Sequence, residues 1–301
     1  MKSMTLKLLS FVFVTVALNG VANAGGDYGV GNGGDQLDWA HPRSSCPHHR
    51  GECRSTHQGE LAGACVQALV DNYYPISGNR AAICASTASW KAVEAIRTLA
   101  QARQSLPDST LQALASIVTD ESTKCVQYLV SNSYPLREGR RAEICAGHPT
   151  YFGLEALADV ANARQPLSDS TLLTLTRIWN ATGAACIRSL VSNYYPVDIL
   201  SRAEICSQVT SNYAISAIQT ATATRRNFSE TTLRALGTIS NKWAVACVTT
   251  LANNRYPLDE GRRAEICSTF CAPTQVAALE SIANSLQPLS ESTLESIARI
   301  R

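Results

Sequence analysis

The chain of 301 residues sets 26 Lys and Arg against 24 Asp and Glu, is 45% hydrophobic but only 6% aromatic, and contains 11 cysteines. Charge so nearly balanced leaves no basic stripe to neutralise phosphates, so nucleic acid is not an expected partner. Length alone leaves both one large domain and an array of smaller units open.

Residues 1–24, MKSMTLKLLSFVFVTVALNGVANA, place Lys2 and Lys7 ahead of an apolar run and end on Ala22-Asn23-Ala24, the pattern of an export signal peptide cleaved after Ala24. The apolar run is shorter than the roughly 20 residues that span a bilayer, so no transmembrane anchor is expected and the destination is secreted or periplasmic. Removing the signal takes away two lysines and no acid, leaving 24 basic and 24 acidic side chains. All the cysteines lie beyond it and, in an oxidising compartment, read as a disulfide framework with one left over.

Residues 25–58 form a glycine- and histidine-rich leader, with His41, His48, His49 and His57 around Cys46 and Cys53. Imidazole and thiolate groups at such spacing can hold zinc or copper. A Cys46–Cys53 disulfide would remove the thiolates from that duty, so no metal or cofactor is assigned and the leader is expected to be flexible with one bridge.

From there the chain repeats itself. Cys84, Cys145, Cys206 and Cys267 stand 61 residues apart, as do Leu111, Leu172, Leu233 and Leu294. Cys65, Cys125, Cys186 and Cys247 follow the same interval, less one residue in the first copy. The units run 59–118, 119–179, 180–240 and 241–301, and each is expected to be all-α: tandem helical repeats forming a solenoid or a compact helical array.

Within a unit, the first helix carries ACVQALVDN or its equivalents, with Cys125, Val126, Leu129 and Val130 on one face at 3.6-residue spacing. Asn72, Asn132, Asn193 and Asn254 each precede a Tyr-Pro pair by two residues. Asparagine tolerates the left-handed conformation that ends a helix, and the proline cannot continue one. A short second helix ends at RAEIC, read RAAIC from Arg80 in the first copy. The third helix buries Val93, Ile96 and Leu99, matched by Leu154, Leu157 and Val160. The fourth starts at Ser168, Ser229 or Ser290, a cap followed at once by an acid that suits the positive helix end. In the first copy Pro107 replaces that serine. Leu233, Leu236 and Ile239, then Leu294, Ile297 and Ile300, give its buried face. Whether Asp169–Asn193 is one bent helix or two stays open.

If the chain reverses at the proline, the two cysteines of a unit meet, predicting Cys65–Cys84, Cys125–Cys145, Cys186–Cys206 and Cys247–Cys267; the alternatives are bonds between neighbouring units or a reduced, buried cysteine in every copy. Cys271 is then unpaired, and is the candidate for linking two chains as a dimer.

Arg80, Arg141, Arg202 and Arg263, with Tyr74, Tyr134, Tyr195 and Tyr256, recur at matching places. They are either a binding row for an extended protein or peptide partner, or the groups that hold successive units together. His148 has no serine or cysteine partner set by spacing, and no nucleophile, zinc-protease or phosphate-loop motif is present. The expected role is that of an exported, disulfide-stabilised binding or structural scaffold for a protein, peptide or envelope component. The alternative is a small exported enzyme with an active site formed between repeats.

Overall fold

Helices this short, each apolar on one face only, gain stability by packing that face against a neighbour. The computed structural model describes residues 56–300 apart from 138–139, 196, 198–199, 225, 227 and 259–261. The export signal and the Cys46–Cys53 pair lie outside the described residues. Among those described, the chain forms sixteen helices and no strand. In chain order they are α1 (Thr56–Val70), α2 (Gly78–Ala85), α3 (Trp90–Gln101), α4 (Asp108–Ala115), α5 (Asp120–Ser131), α6 (Arg141–Ala146), α7 (Tyr151–Asn162) and α8 (Asp169–Thr176). There follow α9 (Ala181–Ser192), α10 (Leu200–Gln208), α11 (Asn212–Ala223), α12 (Glu230–Gly237), α13 (Lys242–Asn253), α14 (Arg263–Ser268), α15 (Pro273–Asn284) and α16 (Glu291–Ala298).

Each odd-numbered helix pairs with the even one after it as an antiparallel hairpin, and hairpins stack so that odd helices touch odd and even touch even. No more distant pair of these helices is in contact. The result is two layers with a core of Leu, Ile, Val and Ala between them, in which Leu111, Leu157, Leu172 and Leu236 are fully buried and Phe270 is the largest enclosed side chain. The 61-residue interval of the sequence thus covers two hairpins, one closed by a disulfide and the next without cysteine. All four bridges are the ones the spacing predicts: Cys65–Cys84, Cys125–Cys145, Cys186–Cys206 and Cys247–Cys267, with Cα atoms 5.4–5.5 Å apart.

The helix starts follow the expected chemistry. Ser168, Ser229 and Ser290 accept the amides of Thr171, Thr232 and Thr293, while Pro107 caps nothing. The stretch from Asp169 is two helices, because Asn180 turns the chain and accepts the Gly183 amide at 2.6 Å to start α9. The cap uses only the carboxamide oxygen; Nδ2, the atom an N-glycan would join, is buried in the fold, so the Asn180-Ala181-Thr182 triplet is not an accessible glycan acceptor in the folded chain.

Two details differ from expectation. The left-handed residue is not the asparagine but the one after it, with φ of 65° at Tyr73, 64° at Ser133, 63° at Tyr194 and 61° at Arg255. Asn72, Asn132, Asn193 and Asn254 instead turn their amides back to the carbonyls of Ala68, Tyr128, Ser189 and Thr250, satisfying an orphan of the last turn. The final Ile300 is 39% exposed rather than buried, since no further hairpin covers it among the described residues.

Among the described glycines the closest approach is at Gly153, where an added Cβ would lie 2.5 Å from the Thr176 carbonyl oxygen at the end of α8. The Thr150 amide bonds that same oxygen at 2.9 Å, which fixes the approach. Helix propensity favours Ala over Gly by about 1 kcal/mol. Gly153→Ala is nevertheless expected to lower unfolding free energy in urea by about 1–3 kcal/mol, because the overpacked contact is with backbone; unchanged stability would show that α7 lifts off α8 freely.

Candidate functional site

The recurring arginines sit at the start of the even helices of cysteine hairpins and point into the chain. Arg141 is 9% exposed. Its Nη1 donates to the Pro135 carbonyl at 3.0 Å and its Nη2 to the Leu167 carbonyl, in the next hairpin, at 2.7 Å. Arg80 does the same with Pro75 and Leu106, and adds Asp108 at 3.0 Å. Arg263 repeats it with Pro257 and Leu289. Arg202 lies 5.3 Å over the Tyr195 ring. A planar fork with several donors suits this task, because it spans two carbonyls on different hairpins at once.

The tyrosines carry a second tie. Tyr74, Tyr134 and Tyr256 donate their hydroxyls to the backbone carbonyls of Gln104, Gln165 and Gln287 in the next hairpin. Burial pushes the Tyr134 phenol above its usual range while Arg141 pulls it back, so the hydroxyl stays a donor at neutral pH. A third tie was not anticipated. Gln104 donates Nε2 to the Tyr134 carbonyl at 3.3 Å and accepts the Leu136 amide at 3.1 Å, bracketing the next hairpin. Gln165 does so with the Tyr195 carbonyl and the Val197 amide.

The first-turn acids also reach across. Asp169 and Glu291 accept the backbone amides of Arg140 and Arg262, the N-cap residues of the preceding even helices, at 2.7 and 3.0 Å. Asn79 and then Arg80 hold the Asp108 carboxyl below the usual carboxylate range. On the odd layer, Asp159 pairs with Arg188 of α9 at 3.0 Å, but burial outweighs that partner and raises its pKa.

What remains outward is a row along the edge where odd helices turn into even ones, here called the crest. At seven of these crests one described residue has a left-handed backbone: Tyr73, Arg103, Ser133, Arg164, Tyr194, Arg255 and Leu286, with φ from 52° to 65°. Tyr73 and Tyr194 are 87% and 89% exposed. The opposite edge carries Trp90, Tyr151, Trp179 and Tyr213, all exposed, beside the starts of odd helices. Neither row was singled out from the sequence. The signal for the first was the residue before each Tyr-Pro pair and its counterpart, Arg103 or Arg164, in the cysteine-free hairpins.

Grooves recur on the even-helix face at matching positions, of about 420 Å³ between α6 and α8, 380 Å³ between α10 and α12, and 400 Å³ between α14 and α16. The first is lined by His148, which is exposed with φ 61° and makes no hydrogen bond among the described residues. Cys271 is exposed and unbridged. No cluster of three or more His, Cys, Asp or Glu able to hold a metal occurs among the described residues, and no described helix is long and apolar enough to cross a membrane.

This geometry defines a disulfide-bonded, all-α, two-layer helical array. Comparison with protein-family models, curated proteins and solved structures found no match.

Proposed function

We propose that the chain is an exported binding scaffold whose modules are the four units of about 61 residues. On this reading the arginine, tyrosine and glutamine ties hold the stack, and the crest presents the contacting side chains to an extended partner. The observation that carries it is the identity of the crest residues. A left-handed backbone favours glycine or asparagine at a helix end. A bulky side chain there costs about 1–2 kcal/mol. Tyr73, Tyr194, Arg103 and Arg164 accept that cost while facing solvent, where they gain little packing in return. Strain retained in exposed side chains is a mark of surfaces kept for contact. The disulfides support an oxidising destination, and Cys271 offers a route to a covalent dimer.

The test places a photo-crosslinking amino acid at Tyr73 or Tyr194, and at the exposed Lys124 as a reference, in the organism that makes the protein. A discrete adduct from the crest positions alone is expected. Adducts of equal yield from all three, or none from the crest, would remove the proposal. Tyr194→Gly should abolish the adduct formed from position 73 while raising stability by about 1 kcal/mol, which separates lost contact from lost fold.

A further inference from the structure

One crest junction breaks the pattern that closes the others. Gln104, Gln165 and Gln287 stand 61 and 122 residues apart, and the place between the last two is taken by Arg226. Where the first two occur, the side-chain amide brackets the carbonyl and amide of the following hairpin and closes the gap. Guanidinium has no acceptor, so Arg226 cannot take a backbone amide as Gln104 takes Leu136. Among the described residues no such bracket reaches Tyr256 or Leu258.

A groove of about 460 Å³ lies at this junction, between the end of α11 and the end of α13. Arg226 and Arg255 line it; both are exposed, and neither makes a side-chain hydrogen bond or ion pair among the described residues. The left-handed backbone of Arg255, with φ 61°, sets its position at the crest. Phe228 and Leu258, both buried, and the half-buried Tyr256 supply an apolar wall. Phe228 replaces the leucine of the other copies and stacks on Tyr195 at 6.0 Å and 10°, which fixes its ring. The volume falls in the range of small-ligand sites, and two guanidinium groups beside an apolar surface match an oxyanion attached to a ring.

We propose that this groove binds a small anionic ligand, a phosphate or carboxylate joined to a ring or similar apolar body, with Arg226 and Arg255 gripping the oxyanion and Phe228 and Leu258 contacting the body. The site does not depend on the scaffold reading, since a small ligand binds there whether or not the crest meets a macromolecule.

The experiment titrates the full mature chain with phenyl phosphate, inorganic phosphate and phenol by calorimetry. Saturable binding of phenyl phosphate is expected, with inorganic phosphate weaker and phenol undetected. Arg226→Gln, which installs the residue of the other copies and restores the bracket, should weaken phenyl phosphate about tenfold or more. Arg255→Ser, which copies Ser133 at the matching crest, should do likewise, whereas Arg97→Gln, removing an exposed charge from α3, should leave affinity unchanged. Urea unfolding of Arg226→Gln at or above the wild-type midpoint keeps misfolding from explaining its loss. No saturable binding by wild type up to about 10 mM, an affinity unmoved by Arg226→Gln, or an equal loss in Arg97→Gln would each overturn the proposal. Equal affinity for phenyl and inorganic phosphate would overturn the part assigned to the apolar wall.

Discussion

Replacing Cys125 and Cys145 together by alanine is expected to lower unfolding free energy by about 3 kcal/mol, and reducing all four bridges to abolish cooperative unfolding near body temperature. Each bridge closes a separate loop of 19 or 20 residues, which removes roughly 3 kcal/mol of conformational freedom from the unfolded chain. Four independent loops therefore contribute on the order of 12 kcal/mol, comparable with the whole net stability of an ordinary domain, about 5–15 kcal/mol. The core has little with which to replace that: its buried side chains are mostly Ala, Leu, Ile and Val, and no tryptophan is buried among the described residues. Far-UV circular dichroism in urea, on the oxidised protein and on protein reduced in denaturant and alkylated, reads the difference. A reduced chain that unfolds within about 1 kcal/mol of the oxidised one would show that hairpin stacking alone sustains the fold.

Arg141→Ala is expected to cost about 3 kcal/mol by the same measurement. The loss comes less from charge than from the Pro135 and Leu167 carbonyls, which lose a charged donor in a site where the arginine itself is only 9% exposed. Arg141→Lys should recover less than half, because one ammonium cannot reach two carbonyls on different hairpins in the fixed geometry of a fork. Hydrogen exchange should localise the damage to the amides around α6 and α8, the two helices the fork joins. A loss below about 1 kcal/mol, or full rescue by lysine, would mean that the guanidinium merely occupies space.

Those two expectations differ in how readily the sequence discloses them. The cysteine pairing was legible because a disulfide needs two particular residues at a workable separation, and the prolines between them mark the reversal. The caps at Ser168, Ser229 and Ser290 were legible for the same reason: side chain and position together name the partner. The arginine fork was not, because its acceptors are backbone carbonyls that any residue supplies; Arg141 looks the same on paper whether it faces solvent or Leu167. The hairpin step was hidden inside the longer interval because Tyr74 and Gln104 occupy matching crests with unlike side chains. The asparagines misled by one residue, since Asn132 can end a helix either through its own backbone or, as here, through its amide. The groove beside Arg226 was written as a single departure in a column of glutamines, but the column has meaning only once Gln104 is seen holding Tyr134 and Leu136.

Because each of the four bridges among the described residues closes within one hairpin and none ties one hairpin to the next, the stack is covalently a string of knots on an otherwise open line. Pulled from its two ends, such a chain lengthens by peeling stretches apart, while each knot withholds a loop that would extend about 70 Å if released. Under oxidising conditions the molecule is a spring of limited travel, and a reductant lengthens its reach.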